Sequence, residues 1–256
     1  MEWFERLKKR IRGWAGERGF TCDGCGKELF DYPAHRLCEA CEDTMRFNDG
    51  RTCEKCGRKT VADGVCLSCK SRVPRFTKGI SPFVYWGESA AFINRIKNGT
   101  PSLAWYFAEK MASCLIERCA DMQAFLGEGE DILLLIPVPL TKARLRERGY
   151  NQAALLAEEI ASVLTKQGYR VELREDILEK TRDTAQQKHM GYVARMENAA
   201  GAYHIHKRKE CRGRTVVLVD DIMTTGATGS ECASRLLSAG AEKVFFAVAA
   251  ARPEQK

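Results

Sequence analysis

Four C-x-x-C pairs crowd into residues 22–69 of this 256-residue chain: Cys22/Cys25, Cys38/Cys41, Cys53/Cys56 and Cys66/Cys69. Two residues between cysteines let both thiolates face one ion from a tight turn, and two such knuckles complete a tetrahedral Zn²⁺ site. The first and third knuckles read "CDGCG" and "CEKCG". The trailing glycine permits a positive φ and brings backbone amides close to the sulfurs. Two successive zinc ribbons are the simplest arrangement: Cys22, Cys25, Cys38 and Cys41, then Cys53, Cys56, Cys66 and Cys69. A crossed pairing, first knuckle with third and second with fourth, also satisfies the spacing. A disulfide framework has no secretory signal to support it, and a redox dithiol explains one pair but not four. A segment this short has little apolar core, so the metal is expected to supply much of its folding free energy. Four thiolates leave no open coordination position, which makes the zinc structural. The other cysteines, Cys114, Cys119, Cys211 and Cys232, read as buried, inert thiols. His35 lies near a knuckle that lacks no ligand, and the alternating His204 and His206 read as one face of a strand.

The length exceeds a usual single domain and leaves room for a large unit behind the cysteines. The expected division is a basic amphipathic helix over 1–20, a double zinc ribbon over 21–72 and an α/β domain over 80–256. Forty-one Lys and Arg against 34 Asp and Glu give a net charge of +7, a modest lean toward anionic partners. The longest strongly apolar run, "ILLLIPVPL", is too short to span a bilayer and holds two prolines. The first residues, "MEWFERLKKRIRGW", carry charge throughout their apolar positions. No signal peptide is expected there, and the chain is expected in the cytoplasm.

From residue 80 onward apolar runs alternate with helical patterns. "ISPFVYWG" reads as a strand and "ESAAFINRIKNG" as a short basic helix. Ser102 can cap a helix whose Leu103, Phe107, Met111, Leu115 and Met122 mostly step by three or four. "DILLLIPVPL" is too apolar for a half-exposed strand, and "NQAALLAEEIASVLTKQG" is a helix with Leu156, Ile160, Val163 and Leu164 on one side and Gly168 as its stop. "VELREDILEK" reads as a further strand, "TVVLVDD" as strand, "TGSECASRLLSAG" as helix and "KVFFAVAAAR" as strand. The alternation predicts a mainly parallel sheet covered on both faces, with ligands bound beyond the carboxyl ends of its strands.

The segment "VVLVDDIMTTGATGSECA" carries the chemistry. With Val216 to Val219 as strand, Asp220 and Asp221 stand at its carboxyl end. "TTGATG" then opens a helix N-terminus whose amides and dipole favour a phosphate, with Thr228 and Glu231 as a T-x-x-E capping box. Hydroxyls of Thr224, Thr225 and Thr228 add donors. Two carboxylates beside a phosphate repel it unless they face another part of the same ligand. Vicinal sugar hydroxyls satisfy them, so a ribose 5-phosphate accounts for both halves of the motif. The plainer alternative is a solvated acidic turn before an ordinary Thr cap. No G-x-x-x-x-G-K-[ST] and no strand-linked G-x-G-x-x-G competes.

This motif resembles the phosphoribosyl-pyrophosphate (PRPP) signature of the type I phosphoribosyltransferases. "PVPLTKARLRERGYNQAALLA" (137–157) and "TRDTAQQ…R…N…GAY" resemble the ComF family within that fold, as do the N-terminal cysteine pairs and the linker "VPRFTKG". The resemblance runs over nearly the whole chain from Cys22. It implies a type I phosphoribosyltransferase-like, mainly parallel sheet behind a small Cys-rich zinc-ribbon domain. By the same resemblance, Asp220 and Asp221 contact ribose hydroxyls, and Thr224, Thr225, Gly226, Ala227 and Thr228 enclose the 5′-phosphate. Pro137 with Arg144, Arg146 and Arg148 then lies where such enzymes hold pyrophosphate, usually with Mg²⁺. Asn151 and Gln152 either orient phosphates or cap their helix. Thr181 to Asn198, with Arg182, Gln186, Gln187, Lys188 and Arg195, corresponds to a cover over the active site. The segment departs from the family pattern around His189, as does Met223, where valine is more usual. The family is linked to DNA uptake in natural transformation, which implies other competence proteins as partners.

The implied activity is phosphoribosyl transfer from PRPP to an acceptor that no residue pattern identifies. A second class of function is an adaptor for single-stranded DNA that uses the PRPP pocket as a sensor. Its basic and aromatic candidates are Trp3, Phe4, Arg6, Lys8, Lys9 and Arg10, then Arg46, Phe47, Arg51, Lys55, Arg58, Arg72, Arg75 and Phe76. The run "HKRKECRGR" (206–214) adds a second basic stretch. In a third class the first helix docks on a partner or a membrane surface.

Overall fold

The computed structural model describes residues 21–29, 36–118, 132–182 and 201–254. The predicted helix over 1–20 lies outside these residues. So do His35, Cys119, Met122 and most of the expected cover, including Gln186, Gln187, Lys188, His189 and Arg195. The Cys-rich segment holds two short helices, α1 (Glu39–Glu42) and α2 (Leu67–Ser71). Then follow β1 (Lys78–Ile80), β2 (Phe83–Val84), α3 (Gly87–Lys97), α4 (Leu103–Arg118), β3 (Leu133–Pro137), α5 (Lys142–Arg148) and α6 (Gln152–Lys166). The chain continues through β4 (Val171–Leu173), β5 (Leu178–Lys180), β6 (Tyr203–Ile205), β7 (Thr215–Met223), α7 (Ala227–Ser238) and β8 (Lys243–Ala251).

Strands β1, β8, β7, β3 and β4 lie side by side in that order, every pair parallel, with β2 also paired to β8. The period-two geometry of a strand sorts the apolar residues onto two faces. Val217 and Val219 join Leu133, Leu135 and Phe245 against α3, α4 and α6. Val216 and Leu218 join Leu134, Ile136, Val244 and Phe246 against α7. Both faces are covered, so β3, β7 and β8 carry near-continuous apolar runs, as an all-parallel sheet requires. In α4, Leu103, Phe107, Met111 and Leu115 are all buried, and in α6 so are Leu156, Ile160 and Leu164. Val163 is only half-buried, and Gly168 ends that helical stretch at φ +92°.

Several local expectations need correction. "ISPFVYWG" forms two short strands, because Pro82 has no N–H for a ladder and the Ser81 hydroxyl turns to the Phe83 carbonyl at 2.7 Å. "VELREDILEK" divides between β4, at the sheet edge, and β5, which pairs antiparallel with β6 in a separate sheet. The chain turns between them where the Arg174 Nε meets Asp176 Oδ1 at 2.9 Å. Strand β7 runs on through Met223, two residues beyond the "TVVLVDD" read as strand, so Asp220 and Asp221 stand near its carboxyl end rather than at its last positions; Asp220 pairs in register with Val248. The expected capping box does not form. Helix α7 is capped by Gly226, in the left-handed region at φ 81°, and Thr228 already lies inside the helix. Glu231 instead accepts from the Gly201 amide at 3.0 Å. The Ser102 hydroxyl, the expected cap of α4, donates to Asp23 Oδ2 at 2.6 Å.

Both cysteine modules sit directly on the α/β unit. In the first, Cys22, Leu37, Cys41 and Met45 join the core that contains α4, and the Arg95 guanidinium donates to the carbonyls of Asp23 (3.0 Å) and Gly24 (2.5 Å). In the second, the Gly79 amide donates to the Lys55 carbonyl at 2.8 Å, and Glu254 accepts from the Leu67 amide at 2.7 Å. Backbones approach so closely there that a Cβ on Gly57 would stand 2.4 Å from the Gly79 oxygen, and Gly57 has φ +71°. Replacement of Gly57 by Ala is therefore expected to destabilise the protein by about 1–3 kcal/mol, the scale of an overpacked site. Urea denaturation should show it as a lower midpoint at unchanged slope.

Candidate functional site

The eight knuckle cysteines gather as two groups, Cys22 with Cys25, Cys38 and Cys41, and Cys53 with Cys56, Cys66 and Cys69; in each the four sulfurs lie within 4.8 Å of one another. The pairing is therefore sequential, and the crossed alternative falls. Backbone amides close on the sulfurs as a thiolate requires. Cys22 Sγ accepts from Gly24 and Cys38, both at 3.3 Å, and Cys53 Sγ from Cys56 (3.4 Å) and Cys66 (3.3 Å). Four convergent, amide-braced sulfurs suit a metal ion that prefers tetrahedral thiolate coordination. Cys114, Cys211 and Cys232 are all buried away from these groups. Burial pushes the Cys114 thiol up to about 11 and raises those of Cys211 and Cys232 as well, which suits inert thiols.

The carboxyl end of β7 carries the second site. Asp220 is half-buried, and its Oδ1 accepts from the Asp221 amide at 2.9 Å. Burial, reinforced by the Asp221 charge, holds the Asp220 carboxyl well above the usual range. Asp221 is 4% exposed and meets Lys97 Nζ at 2.6 Å. Burial works against the Lys97 ammonium, but the Asp221 charge and hydrogen bond, together with the Asp220 charge, outweigh it and the group's pKa is raised. Lys97 is a site residue that motif reading missed. A signal was present: Lys97 continues the stripe of Phe92, Ile93 and Ile96, all buried in α3, so the helix carries it to the inner side.

Thr224 to Gly226 connect β7 to α7 and, with Ile222, Met223, Ala227, Thr228, Gly229 and Phe246, line a small cleft of about 20 Å³. Thr225 Oγ1 accepts from the Ala227 amide at 3.3 Å, which tightens the turn into the helix. Gly226 supplies no side-chain cap, and after Ala227 the first amides of α7 have no intrahelical partner until that of Ser230, which donates to the Gly226 carbonyl. The same edge receives the end of β3, where Pro137 pairs with Val219 and the Val138 amide donates to the Val219 carbonyl at 2.8 Å. Asn151 ties this turn down: its Nδ2 donates to the Val138 carbonyl and its Oδ1 accepts from the Ala153 amide, both at 3.1 Å. It is thus a helix cap and a brace for the turn.

The arginines of α5 are less concentrated than the sequence suggested. Arg144 reaches Glu147 at 3.1 Å, Arg148 bonds to the buried Gln152, and Arg146 is exposed. Beside α5 lies a larger cavity of about 220 Å³ between Pro139, Leu140, Tyr150, Asn151, Leu178 and Glu175. Partial desolvation beside the cavity and the charges of Glu158 and Asp176 push the exposed Glu175 carboxyl up to about 7.

The proposed nucleic-acid face is also redistributed. Arg58 and Phe76 are buried, the latter with its ring 5.3 Å from that of Phe246, and Lys55 donates to the Thr77 carbonyl at 3.0 Å. Arg46, Phe47, Arg51, Arg72 and Arg75 remain exposed. The run 206–214 is largely engaged within the chain: His206 with Glu179, Lys207 with Asp176 and Arg214 with Glu172. His204 and His206 share one face, their rings 5.2 Å apart. Among the described residues no helix is long and apolar enough to cross a membrane.

Residues 151–256 match the model of the phosphoribosyl transferase domain. The chain is 25% identical over 215 residues to competence protein ComFC of Bacillus subtilis (strain 168), covering 81% of this chain and 80% of that one. It is 26% identical over 228 residues to competence protein F of Haemophilus influenzae, covering 87% and 86%. The chain is thus similar to these competence proteins over most of their length. Its similarity to the DNA utilization protein YhgH of Escherichia coli (strain K12) is 26% identity over 210 residues, 81% of this chain and 87% of that one. The ComF resemblance and the phosphoribosyltransferase-like parallel sheet are thus borne out. The matched domain includes Asn151 and all of β7 and α7.

Lys97 lies before the matched domain yet completes its acidic pair. Replacing Lys97 by Met would leave Asp221 buried without its cation, at a cost of about 3 kcal/mol. The Lys97→Met/Asp221→Asn double variant should recover most of that loss in urea denaturation at pH 7.

Proposed function

We propose that this chain binds PRPP and transfers its phosphoribosyl group to an acceptor in a step linked to DNA uptake. The observation that carries the reading is the meeting, at the carboxyl end of the sheet, of the acidic pair with the N-terminal amides of α7 and of the loop before it. Those amides and the dipole of α7 hold the 5′-phosphate. Asp220 accepts from a ribose hydroxyl, while Lys97 balances Asp221 so that the site tolerates an anionic ligand. The turn after Pro137, braced by Asn151, lies where pyrophosphate would sit, within reach of the basic helix α5 with Arg144, Arg146 and Arg148. Mg²⁺ entering with PRPP would supply positive charge to the pyrophosphate oxygens. In the reaction the bond between C1 of ribose and the pyrophosphate oxygen breaks, and the acceptor nucleophile forms the new bond at C1 and gives up its proton. Positive charge develops on the ring as pyrophosphate leaves, and the residues around it act by holding both ends in place. In the two cysteine groups we assign structural Zn²⁺. The link to DNA uptake rests on the competence and DNA-utilization names of the homologues.

Calorimetric titration of PRPP with Mg²⁺ into the zinc-loaded protein should show saturable binding, lost in the Asp220→Asn/Asp221→Asn variant. Binding should release protons and strengthen as pH rises. The Asp220 carboxyl is raised in the free protein, and a ligand that prefers the carboxylate must displace its proton. Absence of binding to the folded wild type would overturn the reading and favour a DNA-binding adaptor, tested by salt-dependent binding of single-stranded DNA. Metal analysis should find two Zn²⁺ per chain, and strong chelators should unfold the cysteine modules.

A further inference from the structure

Arg58 joins two features that are far apart in the chain. Its side chain is buried, at 5% exposure. Its Nε donates to Cys56 Sγ at 3.2 Å and its Nη2 donates to the Thr224 carbonyl at 3.0 Å. Cys56 belongs to the second cysteine group, and Thr224 opens the loop between β7 and α7. We propose that Arg58 is a positioning residue that couples the second cysteine group to the shape of this loop. The inference rests on the phosphate-binding reading of the loop.

A loop that cradles an anion must aim N–H groups at it and keep carbonyl oxygens away. In a trans peptide the C=O of one residue and the N–H of the next point in opposite directions. With the Thr224 carbonyl held by Arg58, the Thr225 N–H is directed to the other side, and the Thr224–Thr225 peptide cannot turn over without breaking a bond to a cation. The guanidinium suits this task because its donors form a rigid planar fork, so fixing one end fixes the direction of the other.

The end that fixes it is the thiolate. A buried guanidinium needs a nearby anion to balance it, and Cys56 Sγ is the sulfur to which Arg58 donates. A metal bound by Cys53, Cys56, Cys66 and Cys69 would hold the Cys56 sulfur in place. Loss of that ion would release the sulfur and with it the orientation of Arg58. The surroundings point the same way: the Arg75 amide donates to Ser230 Oγ at 3.1 Å, so the linker leaving this module also grips the start of α7. Coupling of this kind is reciprocal, so a ligand seated in the loop must hold the metal of the second group more firmly.

The test compares wild type, R58K and R58Q, each checked for two Zn²⁺ per chain and a cooperative thermal transition. With zinc retained, R58Q should show faster amide hydrogen exchange across residues 223–230. It should also bind PRPP about tenfold more weakly, the scale of one hydrogen bond to a charged group. R58K keeps the charge without the fork and should recover only part of each. PRPP should slow zinc loss to a chelator from the second group in wild type, and this protection should vanish in R58Q. Loop exchange in zinc-loaded R58Q equal to that of wild type would overturn the proposal, as would undiminished PRPP affinity. Failure of the wild type to bind PRPP would refute the phosphate reading alone, since hydrogen exchange still decides what Arg58 does. Should R58Q not fold, the same comparison is made with R58K.

Discussion

Two adjacent carboxylates near the end of a strand buried on both faces set the terms for the molecule. An ionised carboxylate in such a place is costly unless a cation reaches it. Asp221 is met by Lys97 at 2.6 Å, and Asp220 is left with a raised affinity for its proton. The cation comes from α3, a helix outside the matched phosphoribosyl transferase domain. Lys97 reaches the strand only because Phe92, Ile93 and Ile96 seat that helix against the sheet. Packing energy spent on ordinary apolar side chains thereby maintains an unusual electrostatic arrangement.

The cysteine modules extend the same dependence. The first grips α3 through Arg95, the helix that delivers Lys97. The second reaches the loop after β7 through Arg58 and the end of the chain through Glu254. Each module thus holds a different part of one site. Small units with little apolar core of their own brace a larger domain here, and thiolate clusters suit that role because they order a short chain without a large buried volume.

The polar contacts around the site were mostly drawn from residues with another plausible use. Asn151 could have faced a phosphate but braces the turn after β3. Arg58 stood in a run that suggested a nucleic-acid surface, yet its guanidinium is buried between a sulfur and a carbonyl. Glu231 had the spacing of a capping box, but α7 begins earlier because Gly226 takes the left-handed turn, and Glu231 holds Gly201. In each case the residue type limited what the side chain could do, and the partner it found depended on which element packed nearby.

What the amino-acid sequence determined by itself is whatever depends on spacing along the chain. The C-x-x-C pairs specify tight knuckles with convergent sulfurs, the apolar runs specify strands buried on both faces, and the order of acids, threonines and glycines in β7 and its loop marks the candidate site. These are local rules, with turn geometry and strand period setting the distances. The tertiary structure alone decided which knuckles gather into one four-sulfur group, that "VELREDILEK" divides between two sheets, and that Lys97 and Arg58 stand at the candidate site. Those outcomes depend on residues brought together from distant parts of the chain, such as Arg58 and Thr224, and no periodicity connects such partners. Their meeting is set by how the cysteine modules and α3 pack against the carboxyl edge of the sheet.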